Sequence, residues 1–506
     1  MAESNNKRIA KNTILLYIRL LVVMGLAFFT SRELLAVLGE VDYGLSNVIA
    51  GVVAMFSFLS NMMTSAASRY FTFEIGRKNY EALKKVFNLT QLIYYILFFV
   101  ILILSETIGL WFFNNKIVIP EARFNASFWF LQFSAVTFLI GILIIPYNSL
   151  IIAHENMKVF SIIGIFDALS KLIIIYIIQF SKFDQLAYYG AMLAVVALCS
   201  LLANYVVCKK EYPESKFRFY WDKNLFVEIL SFSGWNLFGA ISGLFTNVFV
   251  NVLLNNYFGA AVNAARGMAT QVSSAVSGFM QNFLTAAKPQ IIKYWSSGDK
   301  QAMYMLIART AKFGFFLMLF MALPVLFETE ALLGIWLKKV PDYTAIFTRL
   351  VVIGVLIDTL SYPLMTAAQA TGKVALYQSV VGSMLWMNLP ISWLFLKAGY
   401  PPQSTSWVAI SISIVCLFLR LVLVRRVTGL PIRLFFKSVI LPTSFVTVLS
   451  LLLPFYVLRE MVSGYFRILI QSAACIFSIG SSIMLLGLSS TERNKIIGAI
   501  KIKLNI

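Results

Sequence analysis

One histidine, four cysteines and a charged fraction of 13% leave this chain little with which to perform acid–base, metal or redox chemistry. Cys199, Cys208, Cys416 and Cys475 each lie within or at the end of an apolar stretch, none in a paired motif or near His154. They read as packing residues, so neither a metal site nor a cofactor is expected. Long polar loops are missing as well: the longest on one side of the apolar stretches runs from about Thr329 to Phe347, too short for a hidden catalytic domain. What is abundant is oil, with 59% hydrophobic residues and a mean hydropathy of +0.81. No soluble domain needs that share, and the unit to count is the spanning helix.

Basic residues outnumber acidic ones, 42 to 22. A nucleic-acid module would gather them on one soluble face. Here they fall in short loops between apolar stretches, the pattern by which membrane proteins set their direction, so no nucleic-acid partner is expected. Residues 1–12 are polar and basic and lead into an apolar stretch too long for a signal-peptide core, which reads as an uncleaved first helix.

A helix needs about 20 apolar residues to cross the bilayer. That criterion predicts about fourteen spans, at 14–38, 43–65, 89–113, 127–152, 159–180, 186–207, 225–254, 260–287, 309–329, 347–370, 374–396, 404–424, 435–457 and 466–488. The pair between 225 and 287 is the most diluted by polar residues, such as Asn236, Asn247 and Asn251. On this layout 28 of the 42 Lys and Arg fall on one side and 10 on the other, which predicts that both termini are cytoplasmic.

The chain also rhymes with itself. The turn Leu38-Gly39-Glu40-Val41-Asp42-Tyr43-Gly44 precedes a long helix followed by Ile75-Gly76-Arg77-Lys78-Asn79, and some 220 residues later Phe258-Gly259-Ala260 opens another, followed by Ser297-Gly298-Asp299-Lys300. Pro146 through Ala153 matches Pro363 through Ala370 at an offset of 217. The reading is of two six-helix bundles, 1–218 and 219–430, with two further helices and a cytoplasmic tail in 431–506. Repeats in the same orientation are a transporter arrangement.

Charges within apolar spans cost several kcal/mol and default to functional candidates. The cations are Arg19, Lys171, Arg266 and Arg420, with Arg32 near a span end; the acids are Glu33, Asp167 and Asp358. Each has a structural alternative. Asp167 and Lys171 are spaced to neutralise each other on one helix, Arg32 and Glu33 can form a local pair, and Arg19 and Arg420 can snorkel to headgroups. Asp358 has no oppositely charged neighbour one turn away and needs a partner from elsewhere or a proton. Arg266, among the small residues of Asn263-Ala264-Ala265-Arg266-Gly267 and followed by Thr270 and Gln271, has room for a ligand. Arg266, Arg19, Arg32, Lys171, Arg420, Asn263 and Gln271 are the candidate substrate contacts; Asp358, Asp167 and Glu33 are candidates for ion coupling.

The stretches Lys11-Asn12-Thr13 through Leu45, Val262-Asn263-Ala264-Ala265-Arg266-Gly267 through Lys288-Pro289-Gln290-Ile291, and Leu389-Pro390-Ile391-Ser392 through Pro402 resemble the Wzx-type polysaccharide flippases. These belong to the MOP superfamily, with the multidrug and toxin extrusion (MATE) transporters and the lipid II flippases. The resemblance implies an all-α, MATE-like membrane protein whose paired bundles make a V around a cationic cavity. It further implies alternating-access export of an undecaprenyl-pyrophosphate-linked oligosaccharide across the bacterial inner membrane, beside polysaccharide polymerase and export machinery, with Arg266 as a pyrophosphate contact. An ion-coupled MATE-type exporter and a polytopic sugar polymerase or ligase are the alternatives. The acid that drug-exporting relatives embed in their first bundle has no counterpart here, where span 1 carries Arg19 and the peripheral Glu33.

Overall fold

In a computed structural model describing residues 2–54, 56–117, 119–337, 340–460, 465–490 and 492–494, all regular secondary structure among the described residues is helical. The predicted cytoplasmic tail beyond 494, and Lys338 and Lys339 of the charge count, lie outside the described residues. The first helices are α1 (Ala2–Ala54), α2 (Ser57–Gly76), α3 (Tyr80–Leu104), α4 (Leu110–Lys116), α5 (Phe124–Ala153), α6 (Met157–Gln179) and α7 (Gln185–Glu211). Then follow α8 (Lys223–Phe258), α9 (Ala260–Ser296), α10 (Lys300–Phe327), α11 (Thr329–Trp336), α12 (Thr344–Thr371), α13 (Ala375–Trp386) and α14 (Asn388–Lys397). The last are α15 (Ser404–Thr428), α16 (Ile432–Phe435), α17 (Leu441–Glu460) and α18 (Tyr465–Ser482).

Twelve helical segments among the described residues are long and apolar enough to cross a membrane, and the chain is a multi-pass membrane protein. Two features separate this number from the predicted fourteen. The segment Arg8–Val53 counts once although Gly39 interrupts it at φ 74° and ψ 171°. Only glycine adopts that backbone without strain. The 37-residue α9 is absent from the twelve because Asn263, Thr270, Gln271, Ser273, Ser274 and their neighbours lower its hydropathy.

The internal rhyme reaches the backbone. Gly39 and Gly259 both have positive φ, 74° and 81°, at the starts of the two long helices. After α2 and α9, Lys78 and Gly298 again have positive φ, and the next residue caps a helix: Asn79 accepts from the Ala82 N–H, and Asp299 from the Ala302 N–H. At the second offset Glu155 and Gly372 take positive φ at 62° and 78°, each closing the turn after a proline-containing helix.

The chain divides into two compact units. The first comprises Met1–Leu237 with Ile292–Gly298, the second Phe238–Ile291 with Asp299–Ile506. Within the first, α5 packs on α7 and α1 on α6, around Ile49, Phe113, Phe130, Ile175 and Leu186. The Phe130 and Tyr189 rings stack 6.1 Å apart. At the end bearing the Gly39 turn, Arg123 joins Asp42 of that turn to Asp184, the cap of α7. At the opposite end, Glu155 is buried and receives Arg8 at 2.5 Å and Lys293 at 2.5 Å. Beside it His154 stacks on Tyr212 and meets Glu214 at 2.6 Å. Burial alone would raise the Glu214 carboxyl, but the hydrogen bond with His154 outweighs it and holds the group below its ordinary range. Within the second unit α12 packs on α15 and α10, and α17 on α18.

Candidate functional site

The second unit contains a half-open cavity of about 360 Å³ whose walls come from α8, α9, α12 and α15, with Leu385 of α13 and Asn388 of α14. Its position follows from helix periodicity. Ala265 and Ala269, four apart, are fully buried and let α9 pack closely on Val250 and Leu254 of α8. Arg266 and Thr270 are each one residue further along, rotated about 100°. Both therefore reach the cavity, where Ser273 and Ser274 continue the wall a turn later.

On α8, Asn247 and Asn251 are also four apart and share a face. The Arg266 guanidinium donates from Nη2 to Asn247 Oδ1 at 3.2 Å and from Nη1 to the Asn247 carbonyl at 3.3 Å, and Nη1 also meets Asn251 Oδ1. All three acceptors are neutral amide oxygens, and no carboxylate among the described residues pairs with this cation. Its charge is held in place but not cancelled.

Asp358 of α12 lines the same cavity with Asn388, Thr405, Ser406 and Ser413. The partner that local sequence could not supply comes from α15. Ser413, Cys416 and Arg420 follow a three-four spacing that puts them on one helix face, and Arg420 acts electrostatically on Asp358, Tyr362 and Tyr377.

The other candidates fall elsewhere. In the first unit the Asp167–Lys171 pair forms as its spacing predicts, at 2.7 Å, and Ser200 of α7 donates to Asp167 at 3.4 Å. Arg19 lies over the Phe160 ring, 4.5 Å from its centre, and fits against Gly164, where an added Cβ would sit 2.2 Å from its Nε. Asp167 attracts it. Arg19 therefore packs on α6, the helix that carries Asp167 and Lys171. Arg32 is exposed and Glu33 half-buried. Adjacent helical positions diverge by about 100°, and among the described residues no ion pair joins these two, so the expected local pair does not form. Asn263 and Gln271 are on α9 but outside the cavity wall, Gln271 being exposed. Sequence reading missed Asn388, Thr405, Ser406 and Ser413. Their hydroxyl and amide groups on otherwise apolar α14 and α15 were the available signal.

Residues 9–295 match the family described as polysaccharide biosynthesis protein. No curated protein sequence matches this chain. Among solved structures, an outward-facing multidrug resistance MATE family transporter of the MOP superfamily aligns at a TM-score of 0.73 and 13% identity, covering 84% of this chain and 96% of that one. A MATE transporter in complex with MaD3S aligns at 0.71 and 12%, with 84% and 97% covered. A MOP superfamily transporter from Pyrococcus furiosus, described as having a binding pocket of reversed polarity, aligns at 0.69 and 12%, with 84% and 96% covered. At these identities the likeness establishes a MATE-like fold.

Proposed function

Because the chain belongs to the polysaccharide biosynthesis protein family, we propose that it is a flippase that carries an undecaprenyl-pyrophosphate-linked oligosaccharide from the cytoplasmic to the periplasmic leaflet of a bacterial inner membrane. In this reading Gly39 separates two spans and α9 is another, which takes the twelve apolar segments to fourteen, with both termini cytoplasmic. Transport proceeds by alternating access without covalent chemistry, and the protein is not an enzyme. Polysaccharide polymerase and export machinery are the expected protein partners.

The observation that carries the reading is Arg266, a guanidinium whose three partners are neutral oxygens, facing a cavity lined with hydroxyls and amides. Guanidinium donors match the oxygens of a diphosphate, and surrounding hydroxyls suit a sugar. An exporter of organic cations needs the reverse, an uncompensated acid. Asp358, the acid of this cavity, is under the electrostatic influence of Arg420 instead. Asp167 and Lys171 likewise pair with each other; Asp358, Asp167 and Glu33 remain the candidates for ion coupling.

Deletion of the gene tests the reading. The expected result is accumulation of the lipid-linked sugar in the inner leaflet, loss of surface polysaccharide and unchanged tolerance of organic cations. Increased sensitivity to such cations with normal polysaccharide would favour the exporter.

A further inference from the structure

A second cavity of the C-terminal unit, about 390 Å³, lies where α10 meets the segments flanking α16, α17 and α18. Three cations line it, Arg309, Lys312 and Lys437, against one carboxylate, Glu492. Lys312 is committed to that carboxylate at 2.6 Å, with only 8% of its side chain exposed. Arg309 is 4.0 Å from the other carboxylate oxygen, and the Ser489 N–H also donates to Glu492. The carboxylate is thus shared among more donors than it can neutralise, and positive charge is left at Arg309 and Lys437.

Apart from Ser438 and Ser489 the rest of the wall is apolar, including Leu434 and Pro442, and two of its apolar side chains, Met305 and Leu486, are 42% and 48% exposed. Both helical segments that border it widen into a π turn there, Phe436–Ile440 carrying Lys437 and Ile483–Gly487 carrying Leu486. A π turn adds a residue to a helix turn and recurs at functional sites. Gly487 permits the second one to lie against α10, since an added Cβ would be 2.8 Å from the Phe316 ring. On the predicted topology these cations belong to the basic, cytoplasmic side, where anionic lipids concentrate.

We propose that this pocket binds the headgroup of an anionic phospholipid of the cytoplasmic leaflet, its phosphate between Arg309 and Lys437 and its acyl chains leaving past Met305 and Leu486. A soluble phosphate compound would leave the exposed apolar side chains of Met305 and Leu486 unused. The bound lipid would tie α10 to the two terminal helices, a role separate from substrate transport.

The test uses the full-length protein in a neutral detergent. Phosphatidylglycerol or cardiolipin should raise its melting temperature and persist as an adduct in native mass spectrometry, whereas phosphatidylcholine of equal chain length should do neither. The double variant Arg309→Gln, Lys437→Gln should melt at the same temperature without lipid and bind phosphatidylglycerol roughly thirty-fold more weakly. Ser438→Trp, which fills the pocket without removing charge, should weaken it too. Unchanged binding in both variants, equal binding of phosphatidylcholine, the same stabilisation by inorganic phosphate, or retention of polyprenyl phosphate alone would each overturn the proposal.

Discussion

Replacing Arg266 with alanine should reduce export of surface polysaccharide roughly tenfold to a hundredfold, the effect of losing charge-assisted hydrogen bonds to a buried anion, while leaving the amount of protein in the membrane unchanged. The substitution frees Asn247, which lines the cavity and can turn to water, and Asn251, which is half-buried, so folding loses little. Arg266→Lys should be intermediate, keeping the charge but not the planar fork of donors. Immunoblotting of membranes beside quantification of surface polysaccharide checks both. Normal polysaccharide in the alanine variant would remove Arg266 from the site.

Glu155→Gln should act in the opposite way, on the protein rather than on transport. Glu155 is 1% exposed at its side chain and receives Arg8 from α1 and Lys293 from the end of α9, while its carbonyl accepts from Asn12. Neutralising it leaves Lys293, 18% exposed, without its counter-charge. Breaking a buried pair from one side costs about 3 kcal/mol, and Arg8, being half exposed, recovers part of its share in solvent. A lower melting temperature in detergent and less protein in the membrane are expected, with transport per molecule preserved. An unchanged melting temperature would mean that the cluster carries no stability.

How far the sequence could be read depended on the range of each interaction. The Asp167–Lys171 pair and the helix break at Gly39 are local, and both are present. The duplicated turns were legible because positive φ requires special residues, although Lys78 and Glu155 take that conformation without being glycine. Contacts between helices were not legible. Nothing near Asp358 announces Arg420, 62 positions away on α15, and nothing near Glu155 announces Lys293 on α9. Rotation about a helix axis decided the rest: of the polar residues on α9, Arg266, Thr270, Ser273 and Ser274 line the cavity while Asn263 and Gln271 do not.

The proposed activity is movement of a sugar diphosphate lipid across a bilayer with Arg266 as an anion contact. Its most direct measurement is reconstitution into vesicles containing a pyrophosphate-linked oligosaccharide, scored by access of an impermeant sugar-modifying enzyme to the lipid. Wild-type protein should expose the inner-leaflet half of the substrate, and Arg266→Ala should expose little beyond protein-free vesicles. Equal exposure with wild type, variant and empty vesicles would contradict it.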